Sequence, residues 1–283
     1  MNARLASALE AALHSPVLSL ATVAGGDINQ SYAATLASGE KLFVKTHPNP
    51  PTGMYEREAE GLAWLAEARA LRTPEVRCVR EDFLVLVFVE RGTRQRDFDV
   101  QLGRGLAALH SCGAPSFGLA RDNFIATLPQ LNGELATFAE FYRARRLTPL
   151  VHRARDAGLL GRQDTAQFER LYAQLGQLLG PTEPPARVHG DLWSGNVHVD
   201  DRDAPMLIDP AVYGGHREAD LAMLQLFGAP SSSFFAAYDE VYPRAPGQRE
   251  RVALHQLYPL LVHVNLFGTS YLAQLRSALA RYV

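Results

Sequence analysis

His189-Gly190-Asp191-Leu192-Trp193-Ser194-Gly195-Asn196 is the stretch on which the reading of this chain turns. Its H-x-D-x-x-x-x-N spacing is that of a loop that carries phosphoryl transfer. An aspartate beside an acceptor hydroxyl can orient it and take its proton as transfer proceeds. An asparagine offers a neutral amide oxygen to Mg²⁺, a hard cation that prefers oxygen ligands, without adding negative charge. Asp191 is therefore the expected base and Asn196 an expected metal ligand.

Downstream, Met206-Leu207-Ile208-Asp209-Pro210 is an apolar strand that ends in a carboxylate. Asp209 is the natural second metal ligand. The residues between it and Asp191 leave room for a short hairpin, which would set Asn196 and Asp209 on neighbouring strand ends. Upstream, Leu42-Phe43-Val44-Lys45 ends a strand in a lysine suited to the α- and β-phosphates. Glu58, on the helix that follows, is its expected partner; it is preferred to Glu56 and Glu60 because Leu62 and Leu65 then pack inward beside it. The Gly25-Gly26-Asp27 turn lacks the G-x-x-x-x-G-K-[ST] pattern, so it is no Walker loop. Its place ahead of a strand-borne lysine suits a turn that covers phosphates. Each element alone has an ordinary structural explanation, such as a cap, a hairpin turn or a solvated strand end. Their occurrence together, in this order, is what points to a kinase.

The rest of the chain fits an α+β, bilobal design. Residues 3–14 place Leu5, Ala8, Leu9, Ala12 and Leu13 on one helical face. Strands are expected at Val17–Val23, Ser31–Leu36, Lys41–Thr46, Val76–Val79 and Phe83–Val89, with a helix from about Tyr55 to Ala70. This gives a small five-stranded antiparallel β lobe with one helix packed in its β-β-β-α-β-β run, over residues 1–90. Beyond the connector at Phe88–Gly92 the helical period takes over, in Leu102, Leu106 and Leu109 and again from Phe168 to Leu178. Residues 91–283 should form a larger, mainly helical lobe, interrupted by strand-like pieces near Val188, Val197–Val199 and Met206–Ile208. Of 283 residues 47% are hydrophobic, and the net charge is -2, with no basic excess to suggest nucleic acid or an anionic membrane as partner. Two cysteines, Cys78 and Cys112, make no disulfide framework. With no apolar leader or span in view, a cytoplasmic protein is expected.

Four stretches carry a resemblance: Gly25 through Asn29, His189 through Asn196, Asp209 through Met223 (Asp-Pro-Ala-Val-Tyr-Gly-Gly-His-Arg-Glu-Ala-Asp-Leu-Ala-Met), and Tyr258 through Gly268. With them the chain resembles the fructosamine kinase (ketosamine-3-kinase) family, a protein-kinase-like fold related to aminoglycoside phosphotransferases and choline kinases. The resemblance implies transfer from ATP, with Mg²⁺, to the O3 hydroxyl of ketosamines such as fructosamine or ribulosamine, free or on protein lysines, in deglycating repair. The backbone of the connector Val89-Glu90-Arg91 suits the adenine edge. Trp193 is a candidate substrate wall, since an indole can stack on a sugar face, or else fills the space under the loop. The resemblance places the helix of His263 and Asn265 near the substrate; the alternative for both is a satisfied core residue, more so for Asn265. Asp220 is expected to bond the backbone of the His189–Asn196 loop, His110 to pack, and His189 to support the loop. Many members carry a cysteine in the glycine turn; here Asp27 stands there, so redox control through that loop is not expected. A monomer or weak dimer is expected. The alternatives are another small-molecule kinase, acting on an aminoglycoside, choline or a homoserine-like alcohol, and a non-catalytic nucleotide-binding protein.

Overall fold

The computed structural model describes residues 3–23, 29–228 and 230–283. The Gly25-Gly26-Asp27 turn lies outside the described residues. The chain runs α1 (Ala3–Leu13), β1 (Val17–Val23), β2 (Gln30–Leu36), β3 (Lys41–Thr46), α2 (Met54–Glu67), β4 (Val76–Val79) and β5 (Phe83–Val87). The strands form one antiparallel sheet in the order β1-β2-β3-β5-β4.

The two-residue period of the strands decides what covers each face. Ala34, Leu36, Leu42, Val44, Phe83 and Val85 point to one side, where Leu5 and Leu9 of α1 meet them. Leu84 and Leu86 point to the other, against Tyr55 and Leu62 of α2, with Phe43 beside them. Each such buried aliphatic side chain stabilises the lobe by roughly 1.5–3 kcal/mol. Lys45 follows Val44 and so takes the α2 side. The helix foreseen over residues 3–14 belongs to this lobe, which therefore carries two helices. The last apolar run leaves the sheet at Val87, two residues sooner than its composition suggests, as the chain turns into the connector.

The remainder comprises α3 (Phe98–Ser111), the hairpin β6 (Asn123–Ile125) and β7 (Leu128–Gln130), and α4 (Phe138–Phe141). A π-helical turn (Tyr142–Leu147) leads into α5 (Thr148–Asp156), α6 (Arg162–Tyr172) and α7 (Leu175–Leu178). Then come β8 (Ala186–Val188), β9 (Val197–Val199), β10 (Pro205–Leu207), β11 (Tyr213–Gly215) and the helices α8 (Glu218–Leu224), α9 (Ser232–Val241), α10 (Gln248–Phe267) and α11 (Leu272–Leu279). Leu102 and Leu106 of α3 pack on Phe234 and Tyr238 of α9. Pro259 sits inside α10 and has no N–H for the carbonyl of His255. The Tyr142 hydroxyl donates there instead, 3.3 Å from His255 O and 2.7 Å from Leu254 O. Among the described residues no helix is long and apolar enough to cross a membrane.

The connector is stitched to the β9–β10 hairpin. Gly92 N donates to Val199 O at 3.1 Å, and a Cβ on Gly92 would stand 2.2 Å from Asp200 O, so only glycine fits. Thr93 N and Gln95 Nε2 each donate to the Asp203 carboxylate at 2.8 Å. On the other side of the hairpin Leu207 N donates to Arg72 O at 2.9 Å, and the Arg72 guanidinium pairs with Asp200 and Asp201.

Beneath α8 and α10 lies a sealed polar cluster. Glu218 gives both oxygens to Arg251, at 2.8 and 2.6 Å, while His216 and His255 stack with centroids 5.1 Å apart. Burial, with His255 alongside, pushes His216 from its ordinary 6.5 down to about 3. Burial alone would raise Glu218, but Arg251 and His255 outweigh it and hold the carboxyl at about 2. Both groups bind protons more weakly folded than unfolded, so their stabilisation is complete above about pH 6.5 and is lost as the pH falls toward 3. We expect the melting temperature to decline through this window and His216→Gln to flatten the decline between pH 6.5 and 4.5. An identical pH slope for the variant and the parent would discount this cluster as the cause.

Candidate active site

The hairpin expected between Asp191 and Asp209 is β9 paired with β10, in the register Val197↔Leu207, His198↔Met206 and Val199↔Pro205. Asn196 immediately precedes β9, and Asp209 follows β10 by two residues. Ile208 N donates to Asn196 O at 3.1 Å, which fixes the two ends together. Asp209 has φ 56°, a left-handed conformation that a non-glycine residue adopts only when its surroundings impose it. The Asn196 amide nitrogen donates to Asp191 O at 2.8 Å and to Asp191 Oδ2 at 3.1 Å. Its oxygen is thereby the atom left for a cation.

Lys45 reaches this group from β3. Its Nζ lies 2.5 Å from Glu58 Oε1 and 2.5 Å from Asp209 Oδ1. Glu56 and Glu60 make no such contact; Glu60 pairs with Arg57. Burial works against the Lys45 charge, yet the Asp209 and Glu58 carboxylates outweigh it and hold its pKa above the ordinary lysine value. The bond to Asp209 was not foreseen from the sequence.

The catalytic loop is held from behind. The Asp220 carboxylate, on α8, accepts from His189 N at 2.7 Å and Gly190 N at 2.9 Å. Gly190 has φ 82°, and a Cβ there would lie 2.0 Å from Ala211 O. His110 does more than fill space, contrary to expectation. Its Nε2–H donates to Asp220 at 3.2 Å, while its Nδ1 lies 2.8 Å from the Tyr238 hydroxyl. His189 accepts from Asp191 N at Nδ1 (3.3 Å), so its Nε2–H donates to Ile208 O (2.9 Å). Burial lowers its pKa and keeps the ring neutral. Asp191 itself is half-buried, on the wall of the cleft. Burial, and then Asp209, push its carboxyl up to about 7, against the Asn196 amide.

A second brace supports Asp209–Val212. Gln130 Nε2 donates to Ala211 O and Asn123 Nδ2 to Val212 O, both at 2.9 Å. Asn132 donates to Asn123 Oδ1 at 2.6 Å and accepts from Arg146 Nη2 at 2.7 Å. The Arg146 guanidinium, on the π-helical turn, lies 3.9 Å from the Tyr213 ring centroid. No local spacing announced this network.

One cavity of about 1160 Å³ opens between the lobes. It exceeds the ~300–1,000 Å³ common for single small-molecule sites and has room for two ligands. Every expected site residue within the described part lines it: Lys45, Glu58, Val89, Glu90, Arg91, Asp191, Trp193, Asn196, Asp209 and His263. Glu90 also pairs with Lys41 at 2.6 Å. Phe43, Leu86, Met206 and His198 line the connector end, and Phe227, Phe267 and Tyr271 the opposite end; none of these was singled out from the sequence. Asn265 instead donates into its own lobe, to Leu150 O at 3.1 Å and Leu261 O at 2.8 Å.

A five-stranded antiparallel lobe, a helical lobe, and a lysine, two aspartates and an asparagine on the cleft between them define a phosphotransferase of the protein-kinase-like fold. The chain belongs to the fructosamine kinase family, whose model matches residues 1–283. It is 35% identical over 266 residues to a protein of Enterococcus faecium named "Probable ketoamine kinase", covering 92% of this chain and 94% of that one. It is 34% identical over 278 residues to the chloroplastic protein-ribulosamine 3-kinase of Arabidopsis thaliana, covering 94% and 83%. A crystal structure from Thermobifida fusca, described as "putative fructosamine-3-kinase", superposes with a TM-score of 0.91 at 40% identity over 98% of each chain.

Removing the carboxylate of Asp220 strands two buried backbone N–H groups, so Asp220→Ala should cost about 2–5 kcal/mol of stability. Urea unfolding measures this; an unshifted midpoint would show that the loop is held by something else.

Proposed function

We propose that this protein transfers the γ-phosphoryl group of ATP to the O3 hydroxyl of a ketosamine such as fructosamine or ribulosamine. The observation that carries the proposal is that Lys45, Asp191, Asn196 and Asp209 meet on one cavity in a chain of this family. The adenine lies against Val89-Glu90-Arg91. On this reading residues 1–90 form the nucleotide-binding lobe and residues 91–283 the catalytic and substrate lobe.

The donor set offered by Asn196 and Asp209, one amide oxygen and one carboxylate, suits Mg²⁺. Bound there, the ion supplies neutralising charge to the phosphate oxygens. Lys45 adds a positive charge that Glu58 holds in place. Asp191 orients the acceptor hydroxyl and takes its proton as the new P–O bond forms and the bond to the ADP oxygen breaks. Burial, which raises the Asp191 carboxyl, makes it a stronger proton acceptor than a solvated aspartate. Most of the acceleration comes from positioning and electrostatics. Trp193 and His263 border the acceptor. The phosphate destabilises the sugar adduct, which makes the reaction a deglycating step, and we place it in the cytoplasm. A non-catalytic role sits poorly with a chain that keeps Lys45, Asp191 and Asp209 together.

Purified protein given Mg-ATP and a panel of ketosamines, free sugars, choline and an aminoglycoside should release ADP with the ketosamines, and product NMR should locate the ester at O3. ADP release that no ketosamine stimulates would reject the proposal. Asp191→Ala should lower turnover by about 10²–10⁴-fold while nucleotide binding survives. Lys45→Met should cut transfer strongly, and an unchanged rate would mean that another lysine serves the phosphates.

A further inference from the structure

Among the described residues five large apolar side chains are exposed, and three of them gather at one mouth of the cavity: Trp193 at 39%, Phe227 at 36% and Phe267 at 44%. His263 and Tyr271 complete a ring of rings. Trp193 meets Phe227 edge to face with centroids 6.3 Å apart, and Phe227 lies 5.0 Å from His263. His263 in turn lies 4.7 Å from Tyr271 and 5.6 Å from Phe267. Aromatic surface of this kind is normally buried when it serves only the core.

The collar itself carries no formal charge. Among the cavity-lining residues from 223 onward there is no Asp, Glu, Lys or Arg. His263 is neutral: its Nδ1–H donates to Pro259 O at 2.7 Å, and burial lowers its pKa. The charged residues of the cavity, Arg57 and Arg91 among them, stand on other elements, and the Lys45 ammonium is already taken by Glu58 and Asp209. An anion at the mouth would meet the negative faces of the rings with no cation of the collar to hold it. A cation would meet those faces favourably.

A ketosamine differs from the corresponding ketose in one group: an amine, which in an alkylamine adduct is a secondary ammonium in neutral water, replaces the C1 hydroxyl. We propose that the collar of Trp193, Phe227, His263, Phe267 and Tyr271 binds the alkylammonium of the acceptor, so that the site selects glycated amines that keep a positive nitrogen over free ketoses and N-acylated adducts. This rests on the ketosamine reading for the identity of the substrate, but its physical content is separate: aromatic faces discriminate a cation from a neutral group of the same shape.

The test uses two probes of one shape, choline and its uncharged isostere 3,3-dimethylbutan-1-ol, titrated calorimetrically into the full chain and into a Phe227→Leu/Phe267→Leu variant. Leucine keeps apolar area and removes the ring faces. The parent should bind choline roughly 10-fold or more tightly than the alcohol, the scale of a desolvated cation over aromatic faces. The ratio should fall toward unity in the variant. A parallel turnover assay should show a ketosamine preferred to its N-acetyl derivative, with the preference reduced in the same variant. Equal affinities in the parent, no detectable binding of either probe at millimolar concentration, or a ratio untouched by the two leucines would overturn the proposal. Choline preference without ketosamine-stimulated ADP release would reject the substrate reading and leave the collar standing; ketosamine turnover with equal probe affinities would do the reverse.

Discussion

An ammonium sealed between two carboxylates sets the geometry of everything around it. The Lys45 side chain is 4% exposed and its Glu58 partner 11%. Taking such a cation out of water costs several kcal/mol, and only close pairing offsets that cost. Lys45 stands on β3, Glu58 on α2, and Asp209 at the end of the β9–β10 hairpin, 164 positions further along the chain. One side chain thus ties the sheet, its covering helix and the helical lobe to a common point. The depth of the cleft, and the facing of its two walls, follow from satisfying that charge.

The reacting loop is treated differently. Its backbone, rather than its side chains, is what the protein fixes. Asp220 accepts two consecutive N–H groups, and His110 and Tyr238 steady Asp220 in turn. A neutral His189 bridges the loop to the strand that delivers Asp209. Asp191 is thereby left as a half-buried carboxyl whose own oxygen meets only the Asn196 amide among the bonds described. Rigid support behind and an unsatisfied group in front is the arrangement that positioning chemistry calls for.

Much of this was legible in the sequence because it is written at short range. The strand limits followed from alternation and turn residues, and Glu58 was separable from Glu56 and Glu60 by which helical face Leu62 and Leu65 occupy. The spacing from Asp191 to Asp209 implied the hairpin that joins Asn196 and Asp209. The bracing was not legible. Asn123, Asn132, Gln130 and Arg146 find partners tens of residues away, and a buried arginine on a π-helical turn has no local signature. Phe227, Phe267 and Tyr271 were not singled out, since composition cannot say which aromatics a fold leaves uncovered. The resemblance drew Asn265 toward the site together with His263, but two positions along a helix turn a side chain to another face, and Asn265 takes the core role that was its alternative.

The stitching beside the connector has a mechanical corollary. Gly92, Thr93, Gln95 and Arg72 all bond to the β9–β10 hairpin along one margin of the cleft. Arg72 from the first lobe, and the connector itself, are thus bound to the hairpin like pages to a spine. A hinge at that margin would widen the far side, where Trp193 and Phe267 stand, more than the side at Val89-Glu90-Arg91. Nucleotide and acceptor would then feel the same motion unequally: one held near the fold of the pages, the other at their open side.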